Sequence, residues 1–131
     1  MIQAVYAILC DYGIYDRWRL RHSAIGVINH FSAGRFPAVL HFDVISQWMA
    51  DEGEANGNFM IRVTPVSGSE GNGKVIAATL PEQMIFDPFT HTATNTAHFD
   101  IEIAAPGDYQ LQFYFEDRLV HTLTFPVIPE D

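Results

Sequence analysis

Two short stretches of this chain repeat the same chemistry. His41 and Asp43 stand two apart, His98 and Asp100 do the same, and Glu102 continues the second series. Alternate residues of a β-strand share a face, so each stretch sets an imidazole beside a carboxylate. If the two strands lie side by side with those faces level, His41, Asp43, His98 and Asp100 supply the nitrogen and oxygen donors that a metal such as zinc takes. Any solvated strand face collects the same residue types, so this spacing is a candidate metal or small-molecule site and not a signature.

A second candidate is basic. Arg17, Arg19 and Arg21 hold three of the seven basic residues, with His22 next to them. At a spacing of two they would share one strand face, where guanidinium groups can clamp a carboxylate or a phosphate bidentately. An edge strand that uses charge to discourage pairing with another sheet calls for the same residues. Other constellations carry less. Asp51, Glu52 and Glu54, with Asn56 and Asn58, crowd oxygen donors into a turn without the ordered spacing of a calcium loop. The Gly-Lys at residues 73–74 is followed by Val75 and not by Ser or Thr, and an extended stretch begins there, so it is no phosphate loop. Cys10 sits in an apolar run where a thiol packs, and no serine is marked as a nucleophile.

These residues need strands to position them, and strands are what the chain's periodicity predicts. The clearest register is at the end. Tyr109, Leu111, Phe113 and Phe115 alternate with Gln110, Gln112 and Tyr114, which puts four large apolar groups on one face. A reversal at Glu116, Asp117 and Arg118 would set Phe115 opposite Leu119, Phe113 opposite His121, Leu111 opposite Leu123 and Tyr109 opposite Phe125. The outward residues Tyr114, Val120, Thr122 and Thr124 then form a mildly apolar strip open to a partner. Residues 2–12 are apolar on both alternating sets, which suits a strand covered on both sides. A turn is expected at Tyr12-Gly13, then strands over residues 23–31, 39–49, 59–64, 75–80 and 98–103, with a crossing loop at 32–38. Residues 81–95 show the least regularity. No stretch has a helical period. About eight strands with turns at short intervals predict one antiparallel β-sandwich domain over residues 1–131, immunoglobulin-like or jelly-roll-like, ending in a C-terminal β-hairpin. The two-histidine-plus-glutamate spacing that cupin enzymes use on a comparable barrel is absent, which weakens an enzymatic reading.

Three stretches, YAILCDYGI at residues 6–14, SAIGVINHF at 23–31 followed by RFPAV, and GDYQLQFYFEDRLVHTLTFPV at 107–127, together resemble a family of small bacterial proteins of uncharacterised function. The resemblance implies a shared all-β fold and a bacterial cytoplasmic setting. It brings no catalytic residues with it.

Composition limits the partners. The chain has 131 residues, 48% of them hydrophobic, enough for one real core. Sixteen acidic residues against seven basic give a net charge of −9, which repels phosphate backbones and anionic lipid surfaces. Nucleic acid and membrane are therefore not expected as partners. No apolar run approaches the roughly 20 residues of a membrane helix. The apolar start lacks the basic residues of a secretion signal, and a lone cysteine fits a reducing compartment, so a cytoplasmic location is expected. The resulting expectation is a non-catalytic module with no cofactor that acts through a protein partner or through self-association.

Overall fold

A computed structural model describes residues 2–19, 21–51, 56–66 and 74–130. Half of the turn at 51–58, and almost all of the reversal at 67–74, falls outside the described residues. All regular structure among them is β, in ten strands: β1 Gln3–Asp16, β2 Arg21–Val27, β3 Phe31–Ala33, β4 Ala38–Met49, β5 Gly57–Pro65, β6 Ala77–Ala78, β7 Glu82–Met84, β8 Thr92–Ile103, β9 Gly107–Phe115 and β10 Arg118–Pro129. One sheet has the order β2-β1-β4-β8; the other runs β3-β10-β9-β5-β6, with β7 also paired to β5. No helix among the described residues is long and apolar enough to cross a membrane.

The two sheets face each other across an aromatic core. Trp48 on β4 packs against Phe59 and Phe113 of the opposite sheet, and Phe42 meets Phe125. Alternation explains the arrangement: Leu40, Phe42, Val44, Ser46 and Trp48 all point inward from β4 and all are buried. Ser46 is the polar member of this set, and its Oγ accepts the indole N–H of Trp48 at 2.9 Å. A buried indole would otherwise leave its donor without a partner.

The count is ten strands and not eight, because short pieces were hidden in stretches read as loops or as single strands. Residues 12–16 are no turn; β1 runs through them to Asp16. The segment read as one strand over 23–31 splits after Val27, so that β2 pairs antiparallel with β1 while β3 crosses to the other sheet and pairs parallel with β10. Of the strand expected at 75–80 only Ala77 and Ala78 pair with β5. The irregular section at 81–95 contains β7 and the first turn-away of β8, which begins at Thr92.

The C-terminal hairpin keeps three of its four expected pairs: Phe113 with His121, Leu111 with Leu123 and Tyr109 with Phe125. The fourth differs. Phe115 faces Arg118 and Tyr114 faces Leu119, with a register shift between Leu119 and His121. The loop is therefore the two residues Glu116 and Asp117, at φ 48° and 64°. Two left-handed residues match the right-handed twist of the flanking strands, which a two-residue turn of the ordinary type would splay. Val120 becomes the extra residue of a bulge and joins the partly buried hydrophobics against the core. Glu116 also ties the loop sideways: its N–H donates to the Asn58 carbonyl at 2.9 Å, and its carboxylate accepts the Asn58 N–H at 3.1 Å.

Candidate functional site

β4 and β8 pair antiparallel without interruption from Ala38 opposite Ile103 to Met49 opposite Thr92. That register sets His41 directly across from Asp100 and Asp43 directly across from His98. Directly opposed residues project to the same face with Cβ atoms about 5 Å apart, so four side chains from two distant stretches form one row on the face away from the core. The spacing read from the sequence supplied the residues; the pairing brings them together.

The row is joined end to end by hydrogen bonds. His41 Nδ1 lies 2.5 Å from Asp100 Oδ1, and Asp100 Oδ2 lies 3.1 Å from His98 Nε2. The other ring nitrogen of His98, Nδ1, meets Asp43 Oδ1 at 2.7 Å. Asp43 Oδ2 then accepts the backbone N–H of Gly13 at 2.8 Å. A histidine with a carboxylate at both nitrogens donates twice only as the imidazolium. The bond to Asp43, followed by that to Asp100, accordingly raises the His98 pKa. In return the His41 bond, more than the His98 bond, lowers the Asp100 pKa. Among the described residues no group of three or more His, Cys, Asp or Glu side chains is arranged to hold a metal ion; here the donors and acceptors face one another in pairs.

Gly13 explains why the row ends where it does. The far half of the β1–β2 hairpin passes over this face of the sheet, and a Cβ at Gly13 would stand 2.3 Å from Ile45 Cγ2 and 3.4 Å from Thr96 Cγ2. Ile45 points away from the core, yet it is only 2% exposed, because the hairpin covers it. A second fastening lies at His22 on β2. Its Nδ1 is 2.6 Å from the Tyr6 hydroxyl and its Nε2 is 3.2 Å from Thr96 Oγ1, while the rings of Tyr6 and Tyr15 meet it edge-on. Burial lowers the His22 pKa, which keeps the ring neutral, able to accept from tyrosine and donate to threonine. Gly13 and His22 were missed as site residues. The available signal was the glycine itself, since a glycine inside a strand often marks the close approach of another backbone.

Residues 5–128 match the sequence profile of a family of unknown function, DUF6941. The chain belongs to that family. No curated protein sequence matches it. Family membership agrees with the resemblance seen in the core strands and, like it, transfers no activity to any side chain.

The remaining candidates of this family member are placed as follows. Arg17, Arg19 and Arg21 do not share a strand face. Arg17 and Arg19 lie in the turn after β1 and only Arg21 is in β2, because the strands extend further than the alternation suggested. Asp16 organises that turn: its Oδ1 accepts the N–H of Trp18 at 2.9 Å and that of Arg19 at 3.3 Å, and its Oδ2 lies 3.8 Å from Arg19 Nε. Trp18 at the tip is 97% exposed, and Tyr12, Ile14, Ile25 and Val27 along the arms are exposed as well. Of the strip proposed on the last hairpin, Val120 packs against the core. Tyr114 is half-buried, with the Arg62 guanidinium over its ring at 4.7 Å and its hydroxyl donating to Gln112 at 3.3 Å; Thr122 and Thr124 are exposed. Cys10 is buried, and burial, then the nearby Asp43 and Asp11 carboxylates, raise its pKa. It is held as the unreactive thiol.

Proposed function

We propose that this chain is a non-catalytic binding module whose contact surface is the β1–β2 hairpin. The observation that carries the reading is Trp18, 97% exposed at the hairpin tip above the exposed Tyr12, Ile14, Ile25 and Val27. Large apolar side chains gathered on one projecting element cost solvation in isolation and mark contact sites. Tryptophan and arginine are the residues that dominate interface energetics, and Arg17, Arg19 and Arg21 lie within three residues of this tryptophan in the chain. They give a cationic end to a chain whose net charge is −9, so the partner that fits is a protein with an apolar pocket rimmed by acidic residues.

The strand order supports an immunoglobulin-like member of the two-sheet class as the scaffold. In that reading β1, β4 and β8 take one sheet, β10, β9 and β5 take the other, and β3 runs beside β10 in parallel. The Tyr109 hydroxyl donates to the Ala105 carbonyl at 2.5 Å, across the connection from β8 to β9, where immunoglobulin-like domains fasten a corner with a tyrosine.

The test is affinity capture from the source cells with wild-type protein and with Trp18→Ala and Arg17→Glu/Arg19→Glu variants. The expected result is a stoichiometric protein retained by wild type and lost from both variants, while all three unfold at the same denaturant midpoint. Retention of every captured protein by the variants would remove the hairpin as the contact surface.

A further inference from the structure

We propose that the row His41–Asp100–His98–Asp43 is a proton-operated clasp that fastens the β1–β2 hairpin to the sheet beneath it through the Gly13 amide. The geometry gives the clasp a fixed end and a working end. Asp100 and His98 sit on β8 and Asp43 on β4, in the unbroken pairing of two long strands. Gly13 belongs to a hairpin whose other edge, along β2, has no neighbouring strand among the described residues. Asp43 bridges the two, with one oxygen on His98 and the other on the Gly13 N–H.

Protonated, His98 donates from Nδ1 to Asp43 and from Nε2 to Asp100, holding two neighbouring carboxylates in place with one positive charge. Deprotonated, the ring keeps a single N–H, so one of the two carboxylates meets a nitrogen lone pair instead of a donor. The positive charge that offset Asp43 and Asp100 leaves with the proton, which passes to solvent across the exposed side of the ring. The hold of His98 on Asp43 then falls from a charge-assisted to a neutral hydrogen bond, and Asp43 orients the Gly13 amide less firmly. The raised pKa of His98 moves this change toward neutral pH from the ordinary imidazole value of about 6.5.

Other titrating groups surround the row. His41 on β4 faces Asp100. Cys10 on β1 lies against the Asp43 carbonyl, its Sγ 3.7 Å from that oxygen, and Asp11 follows it; Cys10 stays protonated because burial raises its pKa. His22 on β2 reaches Thr96 of β8, and burial lowers its pKa. His22 therefore opposes His98, since raising the pH favours the folded neutral His22 while it discharges His98. Global denaturation would mix the two effects, so the readout must be local to Gly13. The clasp itself does not depend on what the hairpin binds; only its consequence, pH-dependent partner binding, rests on the proposed contact role.

The experiment is amide hydrogen exchange by NMR on the intact chain across pH 5–9, with imidazole titration followed in the same samples. The protection factor of Gly13 is expected to fall about tenfold, the scale of one charge-assisted hydrogen bond, with the midpoint of the His98 ring. Protection of Val44, in the underlying pairing, should stay constant. In His98→Gln and in Asp43→Asn, Gly13 protection is expected to lose its pH dependence. Gly13 protection that is level through the His98 transition, or that still follows pH in both variants, would overturn the clasp. Because no partner is present, that failure leaves the contact role of the hairpin to be judged by capture alone.

Discussion

Gly13 shows how one missing side chain sets a contact. The 2.3 Å approach of its Cβ position to Ile45 Cγ2 leaves no room even for alanine, and Ile45 is itself pinned in a paired strand. Gly13→Ala is expected to destabilise the fold by about 1–3 kcal/mol, the usual cost of overpacking, measured by urea denaturation. Ile45→Ala in the same chain should recover part of that loss, because it vacates the space the new methyl needs. Ser46 shows the opposite case, a polar atom required inside. Ser46→Ala strands the Trp48 indole N–H and is expected to cost about 1–3 kcal/mol, whereas Ser46→Thr retains the acceptor at the expense of one added methyl.

At the level of elements, the loop of the last hairpin places two ordinary L-residues at positive φ, Glu116 and Asp117. Each left-handed non-glycine residue costs about 1 kcal/mol, and the type of loop rewards glycine at its second position. Asp117→Gly is therefore expected to stabilise the protein by about 0.5–1 kcal/mol and raise its thermal midpoint. The corresponding change at Glu116 should gain less, because it removes the carboxylate bonded to the Asn58 N–H. The turn before β8 relies on Asp87, whose Oδ1 accepts the amides of Phe89 and Thr90 at 2.8 and 3.0 Å; the Thr90 bond, ahead of the Phe89 bond, lowers its pKa. Asp87→Ala should open that turn to proteolysis near Phe89 before the rest of the chain unfolds.

Across the whole molecule, the aromatic core and the outer polar row respond to different variables. Phe42 touches Phe31, Phe99 and Phe125 at once, joining both sheets, so Phe42→Ala is expected to cost about 3–5 kcal/mol. That is a large share of the 5–15 kcal/mol typical of a small protein, at any pH. The row contributes within a pH window instead. His98 has a raised folded pKa, so its contribution is complete below the unfolded value of about 6.5 and is lost as pH rises through the folded one. Asp100 has a lowered folded pKa, so its contribution is present above about 3.9 and is lost as pH falls through the folded one. Stabilisation by the row is thus complete between about pH 4 and 6.5, and the stability difference between wild type and His98→Gln should narrow above that range.

Alternation alone determined a good deal. It identified β4 and β9 with their inward faces, three of four pairs of the last hairpin, and the outward placement of His41, Asp43, His98 and Asp100, because side-chain direction along a strand is a local property with a period of two. It did not determine which strand lies beside which. That His41 faces Asp100 is a consequence of β4–β8 pairing between residues 59 positions apart, and no local pattern encodes it. The same limit explains the hairpin at Tyr12-Gly13, where composition suggested a turn and the tertiary structure instead ran a strand across Ile45. It also explains Arg17, Arg19 and Arg21, whose equal spacing would share a face only on an unbroken strand. The residue types came from the chain; the row, the clasped hairpin and the exposed tryptophan came from long-range pairing, whose energy depends on both partners at once.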